Sequence, residues 1–177
     1  RATAQLGEAL GAAPRAAPAP EGLAPHAGAI YDGARLFHGP AFQVIGDALR
    51  AGEGGLVVPV RGLRAMKWDP APPGHGPFIT DPALVDGGLQ LALLATALPH
   101  PGASALPTAL GRVVRHAEGP APGAIEARIH MRSRSALKTV CDVELVDADG
   151  RVFASLTGVE THLRPNANPA LAAPREG

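Results

Sequence analysis

The chain has 177 residues, and its 16 Lys and Arg are matched by 16 Asp and Glu, so the formal charge at neutral pH is zero. That balance offers no source for the phosphate-neutralising face of a nucleic-acid binder or the polybasic anchor of a peripheral membrane protein. Hydrophobic residues reach 46% while aromatics are only 3%, so the core must be aliphatic, and a single cysteine excludes an internal disulfide or a multi-cysteine metal centre.

No apolar run approaches the ~18 residues that would suggest a membrane span. The opening RATAQLGEALGAAPRAAPAP has no apolar h-region and so is not a secretory signal. A cytoplasmic setting is the expectation. The chain begins with Arg1 rather than Met, which reads as a piece of something longer.

In chain order, residues 1–28 read as a short helical stub, Thr3 to Leu10, followed by a Pro/Ala linker from Gly11 to Pro25. Its prolines fix φ and remove donors, which favours an extended, semi-rigid segment. Residues 29–164 form one folded unit, and 165–177, with three prolines and few large apolar groups, form a frayed tail. Within the unit, Phe42–Ala51 and Gly54–Val60 are apolar runs flanking the turn Gly52-Glu53-Gly54-Gly55, a hairpin pattern. Trp68 sits in a Pro/Gly-rich loop that either covers a cleft or merely closes on itself.

Thr80-Asp81-Pro82 then opens a helix, with Asp81 as N-cap and Pro82 at the first helical position, where a missing N–H costs nothing. From Leu84 to Ala97 the segment is apolar nearly all round, and Pro99 stops it, so the helix must be buried. Leu106–His116 is an extended candidate. Residues 123–131 alternate, with Ile125, Ala127, Ile129 and Met131 on one face, and 139–146 repeats this with Cys141, Val143 and Leu145. The turn Asp147-Ala148-Asp149-Gly150 leads into a last strand, Arg151–Leu163. The architecture that follows is α+β: five or six antiparallel strands wrapped around one central helix.

Two constellations bear on chemistry. Asp86 and Gln90 lie at i and i+4 on the central helix, hence on one face. A carboxyl on a buried helix is costly unless it is hydrogen-bonded, neutralised or turned towards a cavity, and Gln90 can hold one of its oxygens. Gly87 and Gly88 follow, each costing up to ~1 kcal/mol against alanine. They imply close approach of a ligand or, equally well, tight helix–sheet contact with Asp86 as an ordinary early-turn acid. The pattern does not separate these readings.

The second constellation is Leu36-Phe37-His38-Gly39-Pro40-Ala41-Phe42, where a Gly-Pro turn holds His38 at a sheet end. On spacing alone a surface histidine is the better reading. Cys141, on an inward strand face, reads as a core thiol. Arg128, Arg132, Arg134 and Lys138 form either a docking patch for an acidic partner or a solvated face, the latter being the default. No phosphate loop, metal-ligand spacing or Ser-His-Asp pattern is present.

The succession His38-Gly39-Pro40-Ala41-Phe42, Asp81-Pro82-Ala83-Leu84-Val85-Asp86-Gly87-Gly88-Leu89-Gln90 and Leu106-Pro107 resembles the second half of polyketide synthase dehydratase domains, in the version found in polyunsaturated-fatty-acid-type and iterative synthases. The resemblance spans residues 29–164. It implies a hotdog fold, half of a double hotdog, and removal of water from a β-hydroxyacyl chain. It implies no cofactor beyond the phosphopantetheine arm of the acyl carrier protein that carries the substrate.

By the same resemblance, Asp86 delivers a proton to the departing hydroxyl, Gln90 orients it, and His38 replaces a tyrosine that hydrogen-bonds near the leaving group. Gly39, Pro40, Phe42, Gly87, Leu106 and Pro107 then shape the substrate cleft. One part of the family pattern is missing. The base belongs to a His-x-x-x-Gly-x-x-x-x-Pro motif, whereas the residues four beyond the histidines here are Ile30, Phe42, Ile79, Ser104, Pro120, Arg134 and Asn166. Another half must supply that histidine. The implied partners are therefore acyl carrier protein and adjacent synthase domains, including an N-terminal hotdog half, with a homodimer as a further possibility because a sheet edge is left exposed. The alternatives are a non-catalytic acyl-binding scaffold and an isomerase or cyclase on the same fold.

Overall fold

A computed structural model describes residues 10–67 and 78–164. Trp68, most of the Thr3–Leu10 stub and the tail 165–177 lie outside the described residues. Seven antiparallel strands form one sheet in the order β1-β2-β3-β5-β6-β7-β4. The strands are β1 (Ala24–Pro25), β2 (Arg50–Gly52), β3 (Gly55–Val60), β4 (Ser104–Arg115), β5 (Ile125–Arg134), β6 (Lys138–Val146) and β7 (Val152–Arg164), and one helix, α1 (Pro82–Ala97), lies between β3 and β4. The expected five or six strands become seven because residues 24–25 add a short edge pair.

The sheet can wrap the helix because it is bent. Register slips between Met131 and Ser133 in β5 and between Cys141 and Val143 in β6 insert bulges, which raise local twist and curvature. The alternation read from sequence points the right residues inward: Ile125, Ala127, Ile129, Cys141, Val143 and Leu145 are all buried. Against them α1 buries Leu84, Leu91, Leu94 and nearly everything else along its length. Only Pro82, Val85, Asp86 and Leu89 are half-exposed, and at spacings of three and four they form a single stripe over the first two turns.

Gly87 and Gly88 explain how the helix sits so close. A Cβ at Gly87 would fall 2.5 Å from Val60 Cγ1 and 3.1 Å from Val44 Cγ2, and one at Gly88 would meet Val143 Cγ1 at 3.3 Å. Tight helix–sheet contact therefore accounts for both glycines. Val60 and Val44 occupy the space beside Gly87.

Asp81 caps α1 as expected, accepting from Leu84 N–H at 3.2 Å. It does more than cap. Its fully buried carboxylate also accepts from Leu63 N–H at 3.0 Å on each oxygen and from Ala121 N–H at 3.2 Å. Three chain segments meet on one side chain.

One expectation is corrected here. Residues 42–49 are not strand. Pro40–Phe42 is one turn of 3-10 helix, Ile45 makes an isolated antiparallel bridge to Val60, and a continuous ladder with β3 starts only at Arg50–Gly52. Beside that bridge, Gly46 N–H donates to Pro59 C=O and Arg61 N–H to Val44 C=O, while side chains take part as well, Gln90 donating to Phe42 C=O and Tyr31 accepting from Ile45 N–H. The Pro/Ala segment is extended but lies against the folded unit: Ala16 N–H bonds Gly150 C=O, Val152 N–H bonds Pro14 C=O, Ala17 N–H bonds Glu144, and Arg128 bonds Ala17 C=O. Donors and acceptors on the outward face of β5, β6 and the 147–150 turn capture the chain that prolines had already straightened. Among the described residues no helix is long and apolar enough to cross a membrane.

Candidate functional site

The half-exposed stripe of α1 brings Asp86 and Gln90 together one turn apart, as their spacing required. Gln90 Nε2 donates to Asp86 Oδ2 at 2.6 Å and to the Phe42 carbonyl at 2.8 Å. Gln90 is buried while Asp86 is half-exposed. The carboxylate is therefore not sequestered among aliphatics, as expected from the apolar run, but sits on the part of the helix that no strand covers. With Oδ2 held by Gln90, Oδ1 is left without a hydrogen bond among the described residues.

Tyr31 completes the cluster, and sequence reading passed over it. Its hydroxyl donates to Gln90 Oε1 at 2.7 Å and accepts from Ile45 N–H at 2.9 Å. The only signal for it was that a chain nearly devoid of aromatics places its single tyrosine just ahead of the His-Gly-Pro turn. Burial pushes the Tyr31 phenol up to about 12, with Asp86 adding to the rise and the Ile45 N–H and the nearby Arg61 opposing it.

Because Tyr31 is the only tyrosine, its titration is directly visible. Phenolate absorbance is expected to stay flat through the ordinary value of 10.0 and to rise only near 12. The fold favours the neutral form. The stability tied to it is therefore complete below 10 and is lost as pH climbs through 12. A midpoint at the ordinary value would place the hydroxyl in water and break the cluster.

The His38-to-Phe42 turn docks on this cluster through its backbone. Phe42 C=O reaches Gln90, and Gln43 Nε2 bonds His38 C=O at 3.1 Å. His38 is half-buried and stacks on Phe37, with ring centroids 4.8 Å apart and planes 13° from parallel. Its Nδ1 is buried and makes no hydrogen bond with the described residues, so it joins neither Asp86 nor Gln90 by a side-chain bond. Gly39 and Pro40 are exposed at the turn, and Phe42 keeps 52% of its surface open. Arg61, which donates to Gln43 C=O, is a second neighbour that the sequence did not single out.

Leu106 and Pro107 fall elsewhere. Pro107 pairs with Thr161, which hydrogen-bonds Thr96 in the last turn of α1. From Asp86 to Thr96 the helix climbs roughly 15 Å. Only six residues connect α1 to β4, so the start of that strand must lie at the C-terminal end of the helix, away from Asp86. Within this chain the two residues are not part of the Asp86 cluster.

The cationic patch dissolves into pairs. Arg128 bonds Glu126 at 2.8 Å, Arg132 bonds Asp142 at 2.7 Å, Lys138 pairs with Glu160, and Arg134 donates to Ala95 C=O. Cys141 is a core thiol, raised to about 12 chiefly by burial. Among the described residues no three His, Cys, Asp or Glu side chains converge as metal ligands.

The family model described as the polyketide synthase dehydratase N-terminal domain matches residues 11–170. Over 113 residues, 61% of its length, the chain is 33% identical to a polypeptide of the polyunsaturated fatty acid synthase of Thraustochytrium sp., and it spans 4% of that polypeptide. Among solved structures, the dehydratase domain of RzxB from Pseudomonas fluorescens is 26% identical with a TM-score of 0.52, covering 72% of this chain and 43% of that one. The dehydratase domain from the CurH module of curacin polyketide synthase superposes with a TM-score of 0.58 at 18% identity, covering 86% and 55%. The chain thus spans about half the length of these domains, and the helix-wrapping sheet is a hotdog fold.

Proposed function

The chain belongs to the polyketide synthase dehydratase family, and from that premise we propose that it is one hotdog half of a dehydratase acting on a β-hydroxyacyl chain borne by acyl carrier protein, and that its Gly-Pro and Asp-x-x-x-Gln motifs make it the carboxyl-terminal half although the matching model is described as N-terminal. The observation that carries this reading is the Gln90 Nε2–Asp86 Oδ2 bond of 2.6 Å on the uncovered stripe of α1. Eliminating water needs a base for the α-proton and an acid for the hydroxyl. Asp86 is the acid. Gln90 occupies Oδ2, which leaves Oδ1 as the oxygen from which a proton would pass to the leaving hydroxyl. By the family resemblance His38, carried on the docked turn, is assigned the part of steadying the same oxygen, and Gly39, Pro40 and Phe42 that of a lip beside it.

The base comes from elsewhere, since none of the seven histidines opens a His-x-x-x-Gly-x-x-x-x-Pro motif. The half-length match to solved dehydratase domains supports a second half as its source. So does β4, which closes one edge of the sheet and leaves Leu106, Leu110 and Val113 each more than a third exposed. An unpaired apolar edge favours association with another hotdog, in the parent polypeptide or as a homodimer. No cofactor is required beyond the carrier's phosphopantetheine arm. We place the reaction in the cytoplasm, in keeping with a lone unpaired thiol.

The test is mass spectrometry of β-hydroxyacyl carrier protein incubated with the parent polypeptide. Loss of one water from the acyl chain is the expected result. An unchanged mass with a relocated double bond would make the domain an isomerase, and an untouched substrate would make it an acyl-binding scaffold.

A further inference from the structure

Tyr31 stands where three segments meet. Its ring comes from the start of the loop that carries His38, its oxygen accepts the backbone N–H of Ile45 at the end of that loop, and its proton goes to Gln90 on α1. The polarity of this arrangement is not arbitrary. A backbone N–H is an obligatory donor, so the Tyr31 oxygen must accept from Ile45 and its single proton must find an acceptor on the other side. Gln90 can present an oxygen or an NH2 group there. With the NH2 group, two donors would converge on one hydroxyl oxygen and the phenol proton would have no partner.

We infer that Tyr31 is a positioning residue that fixes the orientation of the Gln90 amide, and through it the aim of Asp86. With Oε1 taken by Tyr31, the NH2 group has to face the opposite way, where Asp86 Oδ2 and Phe42 C=O receive its two hydrogens. One amide orientation thereby anchors the acid and docks the His38 turn onto the helix. The phenol's preference for its neutral form keeps that donor in place at working pH. This role rests on the dehydratase reading and refines it. Tyr31 touches no reacting atom.

The experiment compares Tyr31→Phe, Gln90→Leu, the double variant and Asp86→Asn in the complete synthase polypeptide. Tyr31→Phe is expected to lower kcat about tenfold with KM nearly unchanged, because alignment of the acid is lost and substrate contacts are kept. Added to Gln90→Leu, it should cause no further loss, since its effect passes through the amide. A purely structural tyrosine would instead multiply the losses, and that outcome, or an unchanged kcat, overturns the inference. Should Tyr31→Phe fail to fold, neutron diffraction of the unmutated protein decides: deuterons on the Gln90 atom facing Asp86 support the assignment, and deuterons on the atom facing Tyr31 refute it. Asp86→Asn separates the two levels. If it keeps full turnover, the acid reading falls and takes this one with it. If it abolishes turnover while Tyr31→Phe is silent, only the tyrosine's role falls.

Discussion

Asp86→Asn, introduced into the complete enzyme, is expected to lower turnover by at least about a hundredfold, the scale on which a lost general acid is felt. That factor corresponds to about 2.7 kcal/mol of transition-state stabilisation. The substitution is discriminating because so little else changes. Asparagine has the same shape, and its carbonyl still accepts the Gln90 Nε2 hydrogen that Asp86 Oδ2 takes at 2.6 Å. The half-exposed position also means that no buried charge is created or removed, so the unfolding temperature should barely move. What disappears is the proton donor that the proposed elimination requires at this position. Steady-state assay of water loss from the carrier-bound substrate measures it directly. Turnover within a few-fold of the unmutated enzyme would end the acid assignment.

Asp81→Ala is expected to have the largest effect on stability, about 3–5 kcal/mol, from a lost N-cap together with stranded, buried N–H groups. Leu63, Leu84 and Ala121 would all lose their acceptor. For a chain of this size the loss lowers the unfolding temperature by about 10 °C. Asp81→Asn tells a simple cap from a three-way junction. At an exposed cap the two residues are nearly equivalent. Here asparagine offers one acceptor oxygen where two are used, and turns an NH2 group towards backbone donors, so it should cost nearly as much as alanine. Thermal unfolding followed by circular dichroism reads both variants. An asparagine variant as stable as the unmutated chain would reduce Asp81 to a cap.

The folded frame was legible because it depends on local periodicity. Alternation in β5 and β6, the Asp-Pro start of α1 and its apolar run each express a constraint carried by neighbouring residues, and each element forms where that constraint placed it. The Asp86–Gln90 contact was equally readable, since helix geometry alone brings i and i+4 together. The half-buried setting of Asp86 was not. The apolar run implied burial on every side, whereas the sheet wraps most of α1 and leaves one stripe over its first two turns.

Tyr31 lies 59 residues from Gln90, and Asp81 lies 40 from Ala121. No periodicity links positions so far apart. Their hydrogen bonds exist because the sheet closes round the helix and leaves backbone donors that only a particular side chain can reach. The residues 42–49 that read as strand fail for the same reason: they keep a single bridge to β3, at Ile45, and bonds to the Gln90 and Tyr31 side chains stand where a longer ladder would run. The order of residues determined, by itself, strands β3 to β7, the helix and the acid–amide pair one turn apart. Tertiary structure alone decided which way the acid faces, what orients its partner, and where the Leu106-Pro107 pair lies. Orientation and long-range pairing depend on how distant segments pack, and that information is absent from any short stretch of chain.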